Sequence, residues 1–149
     1  EYEGIDLLID VILKLNKKYK VKLLLIGRKT YDIKLNNYVK YIPSISKDKL
    51  EKYYNKINLF CIPRKSYDVC EYISPLKPFF LLYNRIPLLM SNCKILYDIS
   101  NGGKNCMLFK KNDINDLYKK IENIIKNGYD KELLNNEYNF IKNEKITCN

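Results

Sequence analysis

Arg64, Ser74 and Lys77 fall within fourteen positions of this chain, and their types suit the binding of an anion, with the carboxylate Glu71 between them. Ser74-Pro75 ahead of an apolar run predicts a helix start there: Ser74 can cap free amides, and Pro75 in the first turn has no N–H to leave unsatisfied. A helix start carries partial positive charge and unpaired N–H groups, so it favours phosphate. Lys77 adds a mobile cation, although a lysine in a first turn is often merely exposed. Arg64 offers a bidentate clamp for phosphate or else pairs with Asp68 or Glu71. Glu71 is either a hydroxyl-binding carboxylate or a solvated loop residue. Gly27, directly after an apolar run, suits a turn where backbone must approach a ligand, and is also common in any α/β protein; Gly102 and Gly103 share that ambiguity.

The elements that would position these residues alternate in type. Ile5, Leu8, Val11, Ile12 and Leu15 recur at helical spacing, predicting an amphipathic helix from Gly4 to about Tyr19. Val21–Ile26 reads as a strand buried on both faces, and Tyr38–Ile42 as a weaker strand stopped by Pro43. Ser46 is expected to cap a helix running to about Lys56, followed by a strand at Ile57–Ile62 and a loop from Pro63 to Ile73. A helix then opens at Ser74-Pro75. Strands at Pro87–Met90 and Met107–Phe109 flank a short helix at Lys94–Ile99. Asn112 or Asp113 begins a helix to Lys126, and a last helix covers about Lys131–Lys142.

Such alternation predicts a mostly parallel sheet covered by helices on both faces, an α/β, Rossmann-like domain with right-handed crossovers. Ligands of such sheets bind beyond the carboxyl ends of the strands. Gly27, the Pro43-Ser44-Ile45 turn, the Arg64–Ile73 loop and Gly102-Gly103 are therefore expected on one edge. Phe79, Leu81 and Leu82 are expected in the core.

Several segments together resemble the carboxy-terminal, donor-binding half of the retaining glycosyltransferases of the GT-B fold, the group called family 4. Glu3-Gly4-Ile5-Asp6-Leu7-Leu8 is similar to that family's helix opening, and Leu23–Gly27 to its following strand and glycine turn. Leu50–Arg64 resembles the pattern that ends in its Pro-Arg pair. Ser74-Pro75-Leu76-Lys77-Pro78 resembles its Pro-Leu-Lys-Pro segment, and Asn101–Phe109 its glycine-containing run into a strand. The resemblance implies that Gly27, Arg64, Glu71, Ser74, Leu76 and Lys77 line a site for a nucleotide-diphosphate sugar. It also implies two glutamates eight residues apart, where this chain has Tyr72 and Phe80. Phenylalanine cannot accept a hydrogen bond from a ribose hydroxyl. Glu71 lies one position from the first of the pair. The same resemblance implies transfer to a glycan or lipid acceptor held by an amino-terminal domain. No metal or cofactor beyond the donor is implied, and no catalytic residue is assigned.

At 149 residues the chain suits one domain. It opens on Glu1 at what reads as the first helix, so it is expected to be a fragment lacking the acceptor domain and the family's first strand. Hydrophobic residues at 46% exclude a disordered chain. The formal charge of +10 raises a polyanion or anionic-membrane reading. Lysines dispersed over outward helix faces favour solvated surfaces over a specific nucleic-acid groove. A noncatalytic, degenerate copy and a basic interaction module are the competing classes. Cys61, Cys70, Cys93, Cys106 and Cys148 lack metal-site spacing, and with no histidine in the chain they are expected to be reduced thiols. No apolar run is long enough to cross a bilayer, which leads to an expected cytoplasmic location, with contact at the membrane periphery allowed.

Overall fold

A computed structural model describes residues 2–28, 32 and 35–143. The chain order is α1 (Ile5–Leu15), β1 (Leu23–Ile26), β2 (Val39–Ile42), α2 (Lys47–Tyr54), β3 (Phe60–Ile62), α3 (Asp68–Tyr72), α4 (Lys77–Tyr83), β4 (Leu88–Ser91), α5 (Lys94–Ile99), β5 (Met107–Phe109), α6 (Ile114–Asn127) and α7 (Lys131–Asn143). Among the described residues, every strand pairing is parallel.

β4 is the centre of the larger sheet and is buried along its whole length, because helices cover both of its faces. Strand alternation sorts the core into two layers. Leu88 and Met90 of β4 join Ile62, the α4 residues Leu81 and Leu82, and the α5 residues Leu96 and Ile99. Leu89, on the opposite face, joins Phe109, the α1 residues Leu8, Val11, Ile12 and Leu15, and the α6 residues Leu117 and Ile121. Phe79 packs at the margin of the first layer, so the expected core residues of α4 are in the core.

The expected single sheet is divided. β1 and β2 form one parallel pair, while β3, β4 and β5 form a separate three-stranded sheet. Several element ends also differ from expectation. Ser46 occupies the N-cap position of α2 without a side-chain cap hydrogen bond. The Pro63–Ile73 segment contains a helical turn, α3, because Asp68 to Tyr72 returns backbone bonds such as Cys70 N–H to Tyr67 O. α4 starts later than Ser74-Pro75 predicts: Leu76 is at its N-cap position and Pro78 is the first-turn proline, so Ser74 caps nothing. Two prolines compete for that role, and Pro78 is the one followed by an uninterrupted run with helical hydrogen bonds. Asp113 caps α6 as expected, its side chain accepting from Asn115 and Asp116 N–H at 3.0 and 2.9 Å. Cys61, Cys70, Cys93 and Cys106 are free thiols, while Cys148 lies outside the described residues. Among the described residues, no helix is long and apolar enough to cross a membrane.

Candidate functional site at the carboxyl edge of the sheet

The strands end toward a common edge at Gly27, Pro43, Pro63, Asn92 and Lys110. Gly27 has φ 146°, a conformation side chains rarely adopt, and a Cβ there would meet nothing within 4 Å. The Tyr41 hydroxyl donates to Gly27 O at 2.8 Å and fixes the turn. Gly102 and Gly103 do not join this edge. They precede β5, whose first residue Met107 pairs with Leu89 near the start of β4, so they lie toward the opposite end of the sheet. A glycine pair entering a strand and one leaving a strand look alike in sequence.

Arg64 follows β3, and its side chain is only 11% exposed. Its guanidinium meets Glu3 at 3.5 Å and donates to Ile73 O at 3.1 Å, while Nε is buried without a hydrogen-bond partner. The ion-pair partner is therefore Glu3, neither Asp68 nor Glu71, because α1 begins directly against the end of β3. Lys65 beside it pairs with Asp6 at 2.6 Å, whose carboxyl is held below its usual value despite opposing burial.

Glu71 is held on three sides. It accepts from Lys111 Nζ at 2.5 Å, Lys94 N–H at 2.7 Å and the Ser66 hydroxyl at 3.2 Å. The Lys111 hydrogen bond is the largest cause that lowers its pKa, followed by the Lys94 N–H. It is a bound carboxylate, 15% exposed, and not the solvated loop residue allowed by the sequence. Asn92 and Asn112 lock the same corner, accepting from Lys111 N–H at 2.8 Å and Ser66 N–H at 3.1 Å. The Cys93 thiol lies beneath, 3.5 Å from both Arg64 O and Lys65 O, and burial pushes its pKa up.

Lys77 is exposed and, with Leu76 and Arg64, borders a cleft that opens at this edge. Leu76 is 84% exposed and Ser74 is exposed beside it. Tyr72 is open to solvent, with Lys94 Nζ 5.9 Å from its ring centroid. Phe80 points elsewhere: its ring packs 5.2 Å from Tyr54 at the margin of the first core layer. The fold thus brings Gly27, Arg64, Glu71 and Lys77 toward one edge, with cations from the segments after β3 and β5 and from the starts of α4 and α5. Sequence reading missed Glu3, Lys94, Lys111 and Asn112. Lys111 and Asn112 lie two and three residues beyond β5, and the rule that places ligands beyond strand carboxyl ends was sufficient to nominate them.

The profile of a family described as "Glycosyl transferases group 1" matches residues 1–145. Among curated proteins, none matches this chain by sequence. Among solved structures, the chain is similar to a sucrose-phosphate synthase from Thermosynechococcus elongatus, with TM-score 0.73 and 17% identity over 95% of this chain and 38% of that one. It is also similar to the C-terminal domain of a group 1 family glycosyl transferase from Francisella tularensis, with TM-score 0.72 and 14% identity over 98% and 82%. A glycosyltransferase from Rickettsia africae gives TM-score 0.76 and 12% identity over 96% and 40%. The chain thus spans well under half the length of two of these enzymes and most of the isolated C-terminal domain. These likenesses establish the fold, one half of the GT-B architecture. With nearly its whole length matched by the family profile, the chain belongs to the group 1 glycosyl transferases.

Proposed function

We propose that this chain is the donor-binding half of a two-domain enzyme that transfers a sugar, with retention, from a nucleotide diphosphate to a glycan or lipid acceptor. The observation that carries the reading is the family match over residues 1–145, read with the cationic corner at the carboxyl edge. In this reading the acceptor binds on an amino-terminal domain outside these 149 residues. The close fit to an isolated C-terminal domain supports that division.

Arg64 and Lys77 hold the diphosphate, and Gly27 lets backbone approach the nucleotide. Leu76 and Ser74 form the loop over the donor. The helix start contributes less than its sequence suggests, since α4 opens only at Lys77 and Pro78 removes an amide from its first turn. Fixed cations near a departing diphosphate stabilise the charge that develops as the sugar leaves. Glu71 already accepts from Lys111, Lys94 N–H and Ser66, so a sugar hydroxyl would compete with these partners. The reaction as proposed takes no cofactor besides the donor substrate, and no residue of this chain is assigned a covalent role.

A second reading, a degenerate domain that folds without turning over, is favoured by one observation. Phe80, at the position where the resemblance implies a ribose-binding glutamate, is packed against Tyr54. Titration with UDP, GDP and ADP followed by amide NMR separates the possibilities. A working donor site predicts shifts confined to Gly27, Arg64, Lys65 and Lys77 that persist at moderate salt. Shifts scattered over surface lysines that fade steeply with salt would instead identify a polyanion-binding surface. No shifts at all would support the degenerate copy.

A further inference from the structure

At the carboxyl edge Arg64, Lys65 and Lys111 each meet a carboxylate, so much of the positive charge there is already neutralised. A second group of cations is not. Lys49 and Lys52 of α2 and Lys56 just beyond it stand three and four positions apart, so they share one side of that element. With Ile45 and Tyr53 they line a hollow of about 250 Å³. Tyr53 and Lys56 also border the large cleft, as do Lys20 and Lys22 of the turn between α1 and β1, which makes the basic surface continuous. All five lysines are exposed, and among the described residues none of them makes an ion pair.

Neighbouring carboxylates do little to cancel this strip. Burial and then the Glu51 charge raise the Tyr54 pKa, which places Glu51 toward Tyr54 and away from the hollow. Asp48 belongs to the first turn of α2, where it complements the helix dipole. That dipole accounts for Lys52 alone, the basic residue of the last turn. Lys20, Lys22 and Lys56 lie in turns beyond helix ends, where the fold gives them no local partner.

We infer that this strip, Lys20, Lys22, Lys49, Lys52 and Lys56 with Tyr53 and Ile45, is a docking face for an anionic phospholipid bilayer. Five ammonium groups at the ends of long, mobile stems suit a diffuse negative surface, which asks for charge density and not for fixed donor geometry. A half-buried tyrosine beside an isoleucine suits the headgroup level, where amphipathic rings settle. Specific nucleic-acid contact favours the planar fork of arginine, and the strip contains none. α2 runs from the carboxyl end of β2 toward the amino end of β3, so a bilayer along the strip stands beside the donor edge and not on it. The inference is independent of the donor reading, since it needs neither Arg64 nor Lys77.

The test is co-sedimentation of the full chain with vesicles of phosphatidylcholine alone and with vesicles containing about one-third phosphatidylglycerol. The parent is compared with a variant carrying Lys20→Gln, Lys22→Gln, Lys52→Gln and Lys56→Gln. A second variant of equal net charge carries Lys104→Gln, Lys110→Gln, Lys119→Gln and Lys131→Gln. The parent should bind only the anionic vesicles, and less as salt rises. The strip variant should lose ~10-fold or more in partitioning with Tm unchanged, and the second variant should stay within ~3-fold of the parent. Equal losses in the two variants would overturn the inference, because net charge alone would then explain binding. So would equal binding to neutral vesicles, or tighter binding to a single-stranded oligonucleotide than to anionic vesicles that is lost in the strip variant.

Discussion

The Glu71 carboxylate receives the Lys111 ammonium at 2.5 Å on one oxygen and the Lys94 backbone N–H at 2.7 Å on the other. One side chain thereby ties α3 to the start of α5 and to the segment beyond β5. Replacing it with glutamine keeps the size and removes the charge. Glu71→Gln is expected to lower stability at pH 7 by roughly 1–2 kcal/mol, the worth of charge-assisted hydrogen bonds discounted because Lys111 is partly exposed. Glu71 has a folded pKa below its ordinary 4.5, so its contribution is present above that value and is lost as pH falls through the folded value. Lys111 is raised above 10.5, so its share persists below that value and is lost as pH rises through its folded value. Urea unfolding of both proteins should show the difference at neutral pH and its progressive shrinkage as pH falls below 4.5.

Three residues look like helix caps in the sequence, and one of them caps. Asp113→Ala should cost about 1 kcal/mol, because two α6 amides lose their acceptor. Ser46→Ala and Ser74→Ala should each stay within about 0.5 kcal/mol of the parent. Thermal unfolding of the three variants checks the ranking.

Gly4 has φ 69°, and a Cβ added there would fall 1.8 Å from Pro63 O. Gly4→Ala should therefore cost more than ~2 kcal/mol, combining left-handed strain with a backbone clash that no side-chain rotation relieves. Gly27→Ala, with open space around it, pays only the conformational term and should cost less in the same assay.

Phe80 tests the degenerate-copy reading directly. Because its ring packs on Tyr54, Phe80→Glu should destabilise the domain by about 2 kcal/mol or more through partial burial of a charge, with no gain in nucleotide affinity. Tighter nucleotide binding with stability retained would show that the glutamate reaches a ribose.

The sequence made the element order legible because apolar periodicity is strong where burial is complete. The all-buried β4 and the α1 face that carries Leu8, Val11, Ile12 and Leu15 are the clearest cases. Its boundaries were less so. Ser74-Pro75 and Lys77-Pro78 both look like helix openings, and only packing of the following residues decides between them. The Arg64 partner was not legible either: Glu3 lies far away in sequence and arrives only because α1 begins against the end of β3. The strand patterns alone did not show the division of the sheet, since pairing is set by neighbours distant in sequence.

A thermal-shift titration with UDP, GDP, ADP and their sugar conjugates asks whether this domain holds a nucleotide diphosphate at its carboxyl edge, as proposed. Ligand at about a hundred times its Kd should add roughly 2.7 kcal/mol, or on the order of 5–10 °C in Tm for a domain of this size. A donor site at that edge should give such a shift with one nucleotide, retained at moderate salt and reduced by Arg64→Gln or Lys77→Gln. No shift with any nucleotide would contradict that reading.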